Sequence, residues 1–510
     1  MENNIYDDVM SMKKYKLTPE QMLLENNITI EVGEISKVLA CFADVDIDRT
    51  VEAMNGEANV SGRVVLNVVY VTDGGEINNQ NCISPFIYKL KNEVIDPGCK
   101  FNLFASVVGT EIDKINGNQL KVITTINFDG VVIKNVETKY LKDGGSGTYT
   151  LKVEQSVTSH EKQICDKFEE TLEAKVKGGV KKVLMTNVEL AVREYTPGLN
   201  FVLAECELYA RVLYVDGGET PEMQTIAITK SIKQEIEVDG INKESDVDLF
   251  PFIIKDGVGT ELAEDGEETT ITIKVPIMVC VNTYTKNNIF SVQDLYSTTN
   301  IIEVQNNETE NCENCGAEYV DGKIEGNVVL SDNNPRIDKY LCTTNIKTTN
   351  SNYYVKDGTL TIEGVVSANV IYLNDELGEI LSVEVEMPYI IDKKVDWGDD
   401  VILEPIVCIC DVDVMVKRGR EIFFDARAKA YVNITRPTTM RFIANVNSVG
   451  ELGPKDSAIE VYFAKSGERV WDIAKGLKVS SEMICNQNPE ITDPLEKDQN
   501  IAIYYQKNRK

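Results

Sequence analysis

RVVLNVVYVTDGG, Arg63 to Gly75, is the stretch that decides the fold. An apolar run ends in Tyr70 and gives way to Thr72, Asp73, Gly74 and Gly75, the pattern of a β-strand entering a hairpin turn. Asp-Gly suits such a turn because the central residues of a tight hairpin need positive φ. The same text returns as Leu208 to Tyr214 followed by VDGG, and as Val365 to Tyr372 followed by LNDELG. Counting back, Leu39, Leu184 and Leu341 lie 31, 30 and 31 residues before Tyr70, Tyr214 and Tyr372. Two anchors at fixed spacing, three times over, predict three copies of one β unit.

A third anchor follows each pair as a long strand: Val122 to Ile133, Thr270 to Thr285 and Glu421 to Thr435. The units therefore fall at 28–141, 170–295 and 328–440, each rich in short-spaced strands and almost free of helical periodicity, which reads as a β-sandwich. Residues 1–27 read as a lead-in with a short helix from Leu17 to Glu25, capped at Thr18 and opened by Pro19. KDGGSGTY (Lys142 to Tyr149) and the polar text from Gln305 to Gly322 read as joints, and Gly450 to Asp456 as a hinge. The fold class expected is mainly β: three tandem β-sandwich-like repeats, then a small βααβ domain at 458–505.

That last segment differs in kind. Val470, Ile473, Ala474 and Leu477 recur at helical spacing, Ser480 caps a second helix carrying Met483 and Ile484, and Asn488 with Pro489 stop it. Ile459, Val461 and Phe463 alternate on a leading strand, and Ile501 and Ile503 on a closing one. Trp471 sits one position off the buried helical stripe, at its edge, where an aromatic anchor can reach a partner.

The segment resembles the LysM domain: Lys465, Gly467, Val470, Trp471, Ile473, Ala474, Val479, Ser480, Ile484, Asn488, Pro489, Ile501 and Ile503 fall in step with it. Glu468 and Arg469 replace the usual Asp-Thr, and Asp498 and Tyr504 replace the usual Gly and Pro, in or near the loops that cradle N-acetylated glycans in sugar-binding LysM modules. With the repeated strand-Tyr-turn anchor, nearly the whole chain resembles the clostridial spore-coat morphogenetic family built from loose SPOCS (spore coat structural) repeats and a C-terminal LysM, the domain order being the more telling feature. The resemblance implies a mother-cell protein at the forming spore surface, linking the coat to the spore by binding the coat ATPase, stage IV sporulation protein A, through its LysM. Other coat proteins and self-association of the β units are further partners under this reading. Candidate contact positions are Trp471, Ile459, Val461, Arg469 and Asn488. The competing reading is a peptidoglycan-binding, cell-wall or cortex-associated protein.

Chemistry is scarce. His160 is the only imidazole among 510 residues, so no Ser-His-Asp, Cys-His or His-metal group can be assembled, and it reads as a surface residue. Asp44, Asp46 and Asp48 open no EF-hand loop, since Arg49 and Asn55 stand where Gly and Glu are needed, and read as one solvated strand face. No phosphate loop occurs. The expectation is no enzyme, no cofactor and no metal. A net charge of −30 argues against nucleic acid or anionic membrane as partner. No apolar run is long enough for a signal peptide or a membrane span, which predicts a cytoplasmic protein. The twelve Cys agree, reading as free thiols within strands, Cys280 among them. Cys312 and Cys315 form a lone Cys-x-x-Cys in linker-like text. From Ser457 to Lys510 eight acidic and eight basic residues balance, so the excess negative charge belongs to the chain before it.

Overall fold

The computed structural model describes residues 4–218, 222–266, 268–455 and 457–505. Period-two apolar patterning dominates the sequence, and the protein is accordingly mainly β, in antiparallel sheets. Residues 5–143 supply β1 (Ile5–Lys16), β2 (Glu20–Thr29), β3 (Ile35–Ile47), β4 (Glu52–Met54), β5 (Glu57–Thr72), β6 (Ile77–Lys91), β7 (Lys100–Asn116) and β8 (Gln119–Asp143). In one sheet β5 lies between β6 and β3, with β4 folded onto its first residues. In the other, β8 has β1 and β2 end to end on one side and β7 on the opposite side.

Residues 148–297 supply β9 (Thr148–Lys177), β10 (Val180–Pro197), β11 (Phe201–Asp216), β12 (Met223–Glu237), β13 (Asp246–Ile253), β14 (Gly259–Asp265) and β15 (Glu268–Ser297). Here β11 lies between β10 and β12, while β15 lies between β9 and the pair β13 and β14. Residues 300–451 supply β16 (Asn300–Val329), β17 (Lys339–Lys356), β18 (Thr359–Asn374), β19 (Glu379–Lys394), β20 (Ile402–Lys417) and β21 (Glu421–Glu451). Their sheets run β17-β18-β19 and β16-β21-β20.

The stretch Arg63 to Tyr70 is thus in β5, a middle strand, and its two echoes are in β11 and β18, also middle strands. Tyr70, Tyr214 and Tyr372 are all buried, and the Tyr70 and Tyr372 hydroxyls donate to the carbonyls of Val32 (2.9 Å) and Pro335 (3.2 Å). Leu39, Leu184 and Leu341 meet in one apolar cluster with Val69, Leu213 and Ile371, so the counted anchors converge in space. At the other end, the long antiparallel strand pairs β1/β8, β9/β15 and β16/β21 pack together through Val9, Tyr140, Val157, Met440 and Phe442, then Leu141, Val292, Leu295, Ile443 and Val446. The chain passes from β8 to β9, and from β15 to β16, at this end. Gly130 lets β8 bend where its partner changes from β2 to β1: its φ is +146° and a Cβ would lie 2.2 Å from the Asn102 carbonyl oxygen.

Several expectations are corrected. Leu17 to Glu25 is no helix, because Met22 and Leu24 alternate with exposed neighbours along the edge of β8 and tertiary pairing outweighs the local Thr-Pro helix signal. Gln305 to Gly322 is no linker but part of β16, paired with β21; Gln305 to Glu308 face solvent, while the buried Asn311 and Asn314 are hydrogen-bonded across strands. The Thr158 N–H donates to Asn311 Oδ1 (3.1 Å) and Asn314 Nδ2 to Asp246 (2.6 Å). The Asp73-Gly74 hairpin is looser than the two-residue turn expected, and only Gly75 there has positive φ. Cys280 is not free; it is bonded to Cys165, directly opposite in register on β9. Cys312 and Cys315 are unbonded thiols, with Cys312 accepting from the Lys14 N–H. Asp44 and Asp46 are half-buried, and only Asp48 is exposed: Asp44 pairs with Lys255 (2.8 Å), and Asp46 accepts from the Lys255 and Asp256 N–H groups of the short 3-10 turn Lys255–Gly257. Asp456, the last residue of the expected hinge, lies outside the described residues.

A buried polar network joins the three pairs of sheets. Lys14 Nζ on β1 contacts Glu404 Oε1 on β20 (2.7 Å), Asp248 Oδ2 on β13 (3.6 Å) and Thr435 Oγ1 on β21 (3.0 Å). Asn102 donates to Glu404 (2.8 Å), and the Tyr284 hydroxyl donates to Asp248. Burial alone would lower the pKa of the Lys14 ammonium, but the two carboxylates hold it above its ordinary range. Burial pushes both carboxyls up against the pull of Lys14, since one cation cannot neutralise two acids.

His160 belongs to this network and is not on the surface. It is buried on β9, its Nε2 3.1 Å from Asn282 Oδ1 and its ring edge-on to Tyr284. Burial holds its pKa below the ordinary 6.5. The unfolded chain therefore takes up a proton below that pH before the folded one does, and His160 costs stability as pH falls. Unfolding in urea at pH 7.5 and pH 5.5 is expected to show this as a slope of at most about 1.4 kcal/mol per pH unit. His160→Gln, which keeps a polar group toward Asn282, removes that component.

Candidate docking surface

The chain after β21 forms β22 (Ile459–Ala464), α1 (Val470–Leu477), α2 (Ser481–Gln487) and β23 (Gln499–Tyr504), with β22 and β23 antiparallel. The stripe Val470, Ile473, Ala474 and Leu477 is buried against Ile484, Leu495, Ile501 and Ile503. Ser480 Oγ accepts from the Met483 N–H (3.1 Å) and starts α2. The Val470 N–H, at the start of α1, donates to Asp493 Oδ1 (3.0 Å).

The loops after β22 and before β23 bind each other. The Gly467 N–H donates to the Leu495 carbonyl (2.8 Å) and the Leu495 N–H to the Glu468 carbonyl (2.9 Å). Ser466 donates its N–H to Asp498 Oδ1 (2.8 Å) and its hydroxyl to the Glu496 carbonyl (3.0 Å). Asp498, a departure from the LysM pattern, thus serves to close the two loops on one another.

This segment is not a free appendage. Trp471 is half-buried: its indole N–H donates to Asp294 Oδ2 (2.9 Å) and its ring meets Tyr296 edge-on at 5.0 Å. Lys475 Nζ reaches both Asp294 oxygens (2.6 and 2.8 Å). Tyr296, fully buried beneath, donates its hydroxyl to the Val479 carbonyl (2.8 Å) and stacks on Tyr149. Asp294 and Tyr296 lie at the end of β15, in the tip where the long strand pairs meet. No sequence pattern announced them, for they are some 177 residues from Trp471.

The remaining expected positions divide clearly. Ile459 and Val461 are exposed, at 53% and 50%, and point away from the helices; Phe463 (75%) and Tyr504 (52%) extend the same face. The register explains this: Ile459 is opposite Tyr504 and Val461 opposite Ala502, while Ile501 and Ile503, on the other face, fill the core. Phe463 follows from the strand alternation with Ile459 and Val461, whereas nothing in the sequence pattern places Tyr504 on this face. Arg469 is exposed at the N-cap of α1, with no side-chain capping bond and a charge of the wrong sign for that helix end. Asn488 is occupied internally, its side chain bridging the Ile484 carbonyl and both backbone groups of Ala502.

Among the described residues no group of three or more His, Cys, Asp or Glu could hold a metal ion, and no helix is long and apolar enough to cross a membrane. No family model, curated protein or solved structure matches the chain.

Proposed function

We propose that this protein is a non-catalytic scaffold of spore-coat assembly: three copies of one β-sandwich unit carrying a LysM-like segment that docks a protein partner. The observation that carries the reading is the apolar face of Ile459, Val461, Phe463 and Tyr504, set on a charge-balanced segment and held at one end of a strongly anionic body. An exposed cluster of this kind is a common mark of a protein-protein contact. The three-copy reading is supported by strand order. In each third of the chain an outer strand, broken into β1 and β2 in the first, precedes a three-stranded meander (interrupted by the short β4 in the first), and a return strand, broken into β13 and β14 in the second, and a long central strand follow. On the family resemblance, the partner is the coat ATPase, stage IV sporulation protein A, and the place is the mother-cell side of the forming spore. Trp471 contributes the part of its ring that Tyr296 leaves open.

The peptidoglycan reading is less well supported, because the loops that would cradle a sugar spend backbone and side-chain groups on each other. Affinity capture from sporulating cells decides between them. The full chain is expected to retain the coat ATPase, and Ile459→Ser with Phe463→Ser to lose it at least tenfold. Retention of purified peptidoglycan, with no loss of it in the double variant, would favour the sugar.

A further inference from the structure

The two edges of the β22/β23 sheet are unlike. Along the outer edge of β23, side-chain amides from the end of α2 take the place of another strand. The Ala502 N–H donates to Asn488 Oδ1 and Asn488 Nδ2 donates back to the Ala502 carbonyl, both at 3.0 Å. The Tyr504 N–H donates to Gln487 Oε1 (2.7 Å) and Gln487 Nε2 to the Tyr504 carbonyl (3.1 Å). That edge is closed.

The same bonds fix the other edge. Since Ala502 and Tyr504 aim their backbone groups away from β22, the pairs Val461 with Ala502 and Ile459 with Tyr504 are the non-hydrogen-bonded kind. The Tyr505 N–H donating to the Ala458 carbonyl (3.0 Å) obeys the same alternation one residue on. It follows that Ile459, Val461 and Phe463 turn their N–H and C=O groups outward from β22. No described residue bonds to these groups, and their side chains are the most exposed of the strand.

We infer that the open edge of β22 accepts an extended segment of a partner protein as a third strand. Three residues present alternating donors and acceptors for main-chain pairing, and Ile459, Val461 and Phe463 offer apolar contacts to alternate side chains of the incoming strand. The segment that fits has β-branched apolar residues at every second position and basic residues between them. The basic preference follows from the net charge of −30 carried by the body against which this segment is held. The same charge opposes a second copy of this chain as occupant, since two such bodies would be brought together. The inference rests on the docking reading and specifies its mode.

The test uses the full chain and a fluorescein-labelled nine-residue peptide alternating lysine and valine, followed by anisotropy at low salt. Binding is expected, weaker at least tenfold for Val461→Pro, whose lost N–H makes no bond within the protein. The same peptide N-methylated at every residue, which keeps side chains and charge but no donors, is expected not to bind; this holds whether or not the proline variant folds. Absence of binding by the natural chain, equal binding of the methylated peptide, or equal binding by a folded Val461→Pro chain overturns the inference. So does a Val461-dependent dimer in sedimentation. In capture from sporulating cells, a folded Val461→Pro chain that retains the coat ATPase overturns strand addition and leaves docking intact. An Ile459→Ser, Phe463→Ser chain that retains it overturns docking itself.

Discussion

Replacing Lys14 by methionine is expected to destabilise the protein by about 3–5 kcal/mol, the usual cost of stranding a buried charge. Lys14 is wholly enclosed and is the only cation contacting Glu404 and Asp248 in the network described. Without it, both carboxyls must hold protons in the folded state, with Asn102 and Tyr284 left as hydrogen-bond partners. Their folded pKa values then lie further above those of the unfolded chain. A group whose folded pKa is raised favours folding below its unfolded pKa, and that advantage is lost as pH rises through the folded value. The variant is therefore least impaired near pH 5 and most impaired near pH 8. Urea unfolding across that range checks the sign: equal loss at both ends would mean the acids do not take up protons. Because β1, β13 and β20 each supply one of the three charged groups, the damage is expected as looser packing between sheets, with faster hydrogen exchange in β1, and not as unfolding of one strand.

The parts of this architecture legible in sequence are those where the end of a strand is buried on both faces, as at Val68 to Tyr70, Val212 to Tyr214 and Val370 to Tyr372, and closes in a turn. β5, β11 and β18 are such strands, and their tyrosines could be counted because each is locked in a core. β16 is hidden from a sequence reading for the opposite reason. Its first residues, Gln305 to Glu308, are polar and face solvent while paired with β21, and beyond them Thr309, Asn311 and Asn314 are buried, the latter two hydrogen-bonded across strands. Composition cannot distinguish a polar residue satisfied by a neighbouring strand from one satisfied by water. His160 failed likewise: a lone histidine beside Glu and Lys reads as solvated, and only the register with β15 brings it to Asn282. At the C-terminal segment, helical spacing placed the buried stripe and the cap, and strand alternation indicated the apolar face. The support beneath Trp471 could not be read, since Asp294 and Tyr296 are ordinary strand residues until β15 reaches the bundle tip.

That support makes Trp471→Glu the sharpest single test of the C-terminal segment. The substitution removes the edge-on contact with Tyr296 and the bond to Asp294, and sets a carboxylate beside the Asp294 carboxylate, with Lys475 left to bridge both. A half-buried tryptophan lost in this way costs on the order of 3 kcal/mol, enough to free the segment from the bundle tip. Tyr296, now sealed, becomes accessible, and limited proteolysis is expected to cut between Glu451 and Ile459 in the variant but not in the natural chain. Tyr296→Ala frees the segment too, yet leaves Trp471 and the face of Ile459, Val461 and Phe463 intact. Comparing the two separates roles that a single variant confuses. If Trp471 touches the proposed partner, capture of that partner is expected to survive Tyr296→Ala and to fall at least tenfold in Trp471→Glu. Equal loss in both would mean that the partner needs the segment held at the tip, and equal retention would remove Trp471 from the contact and leave the β22 face to carry it.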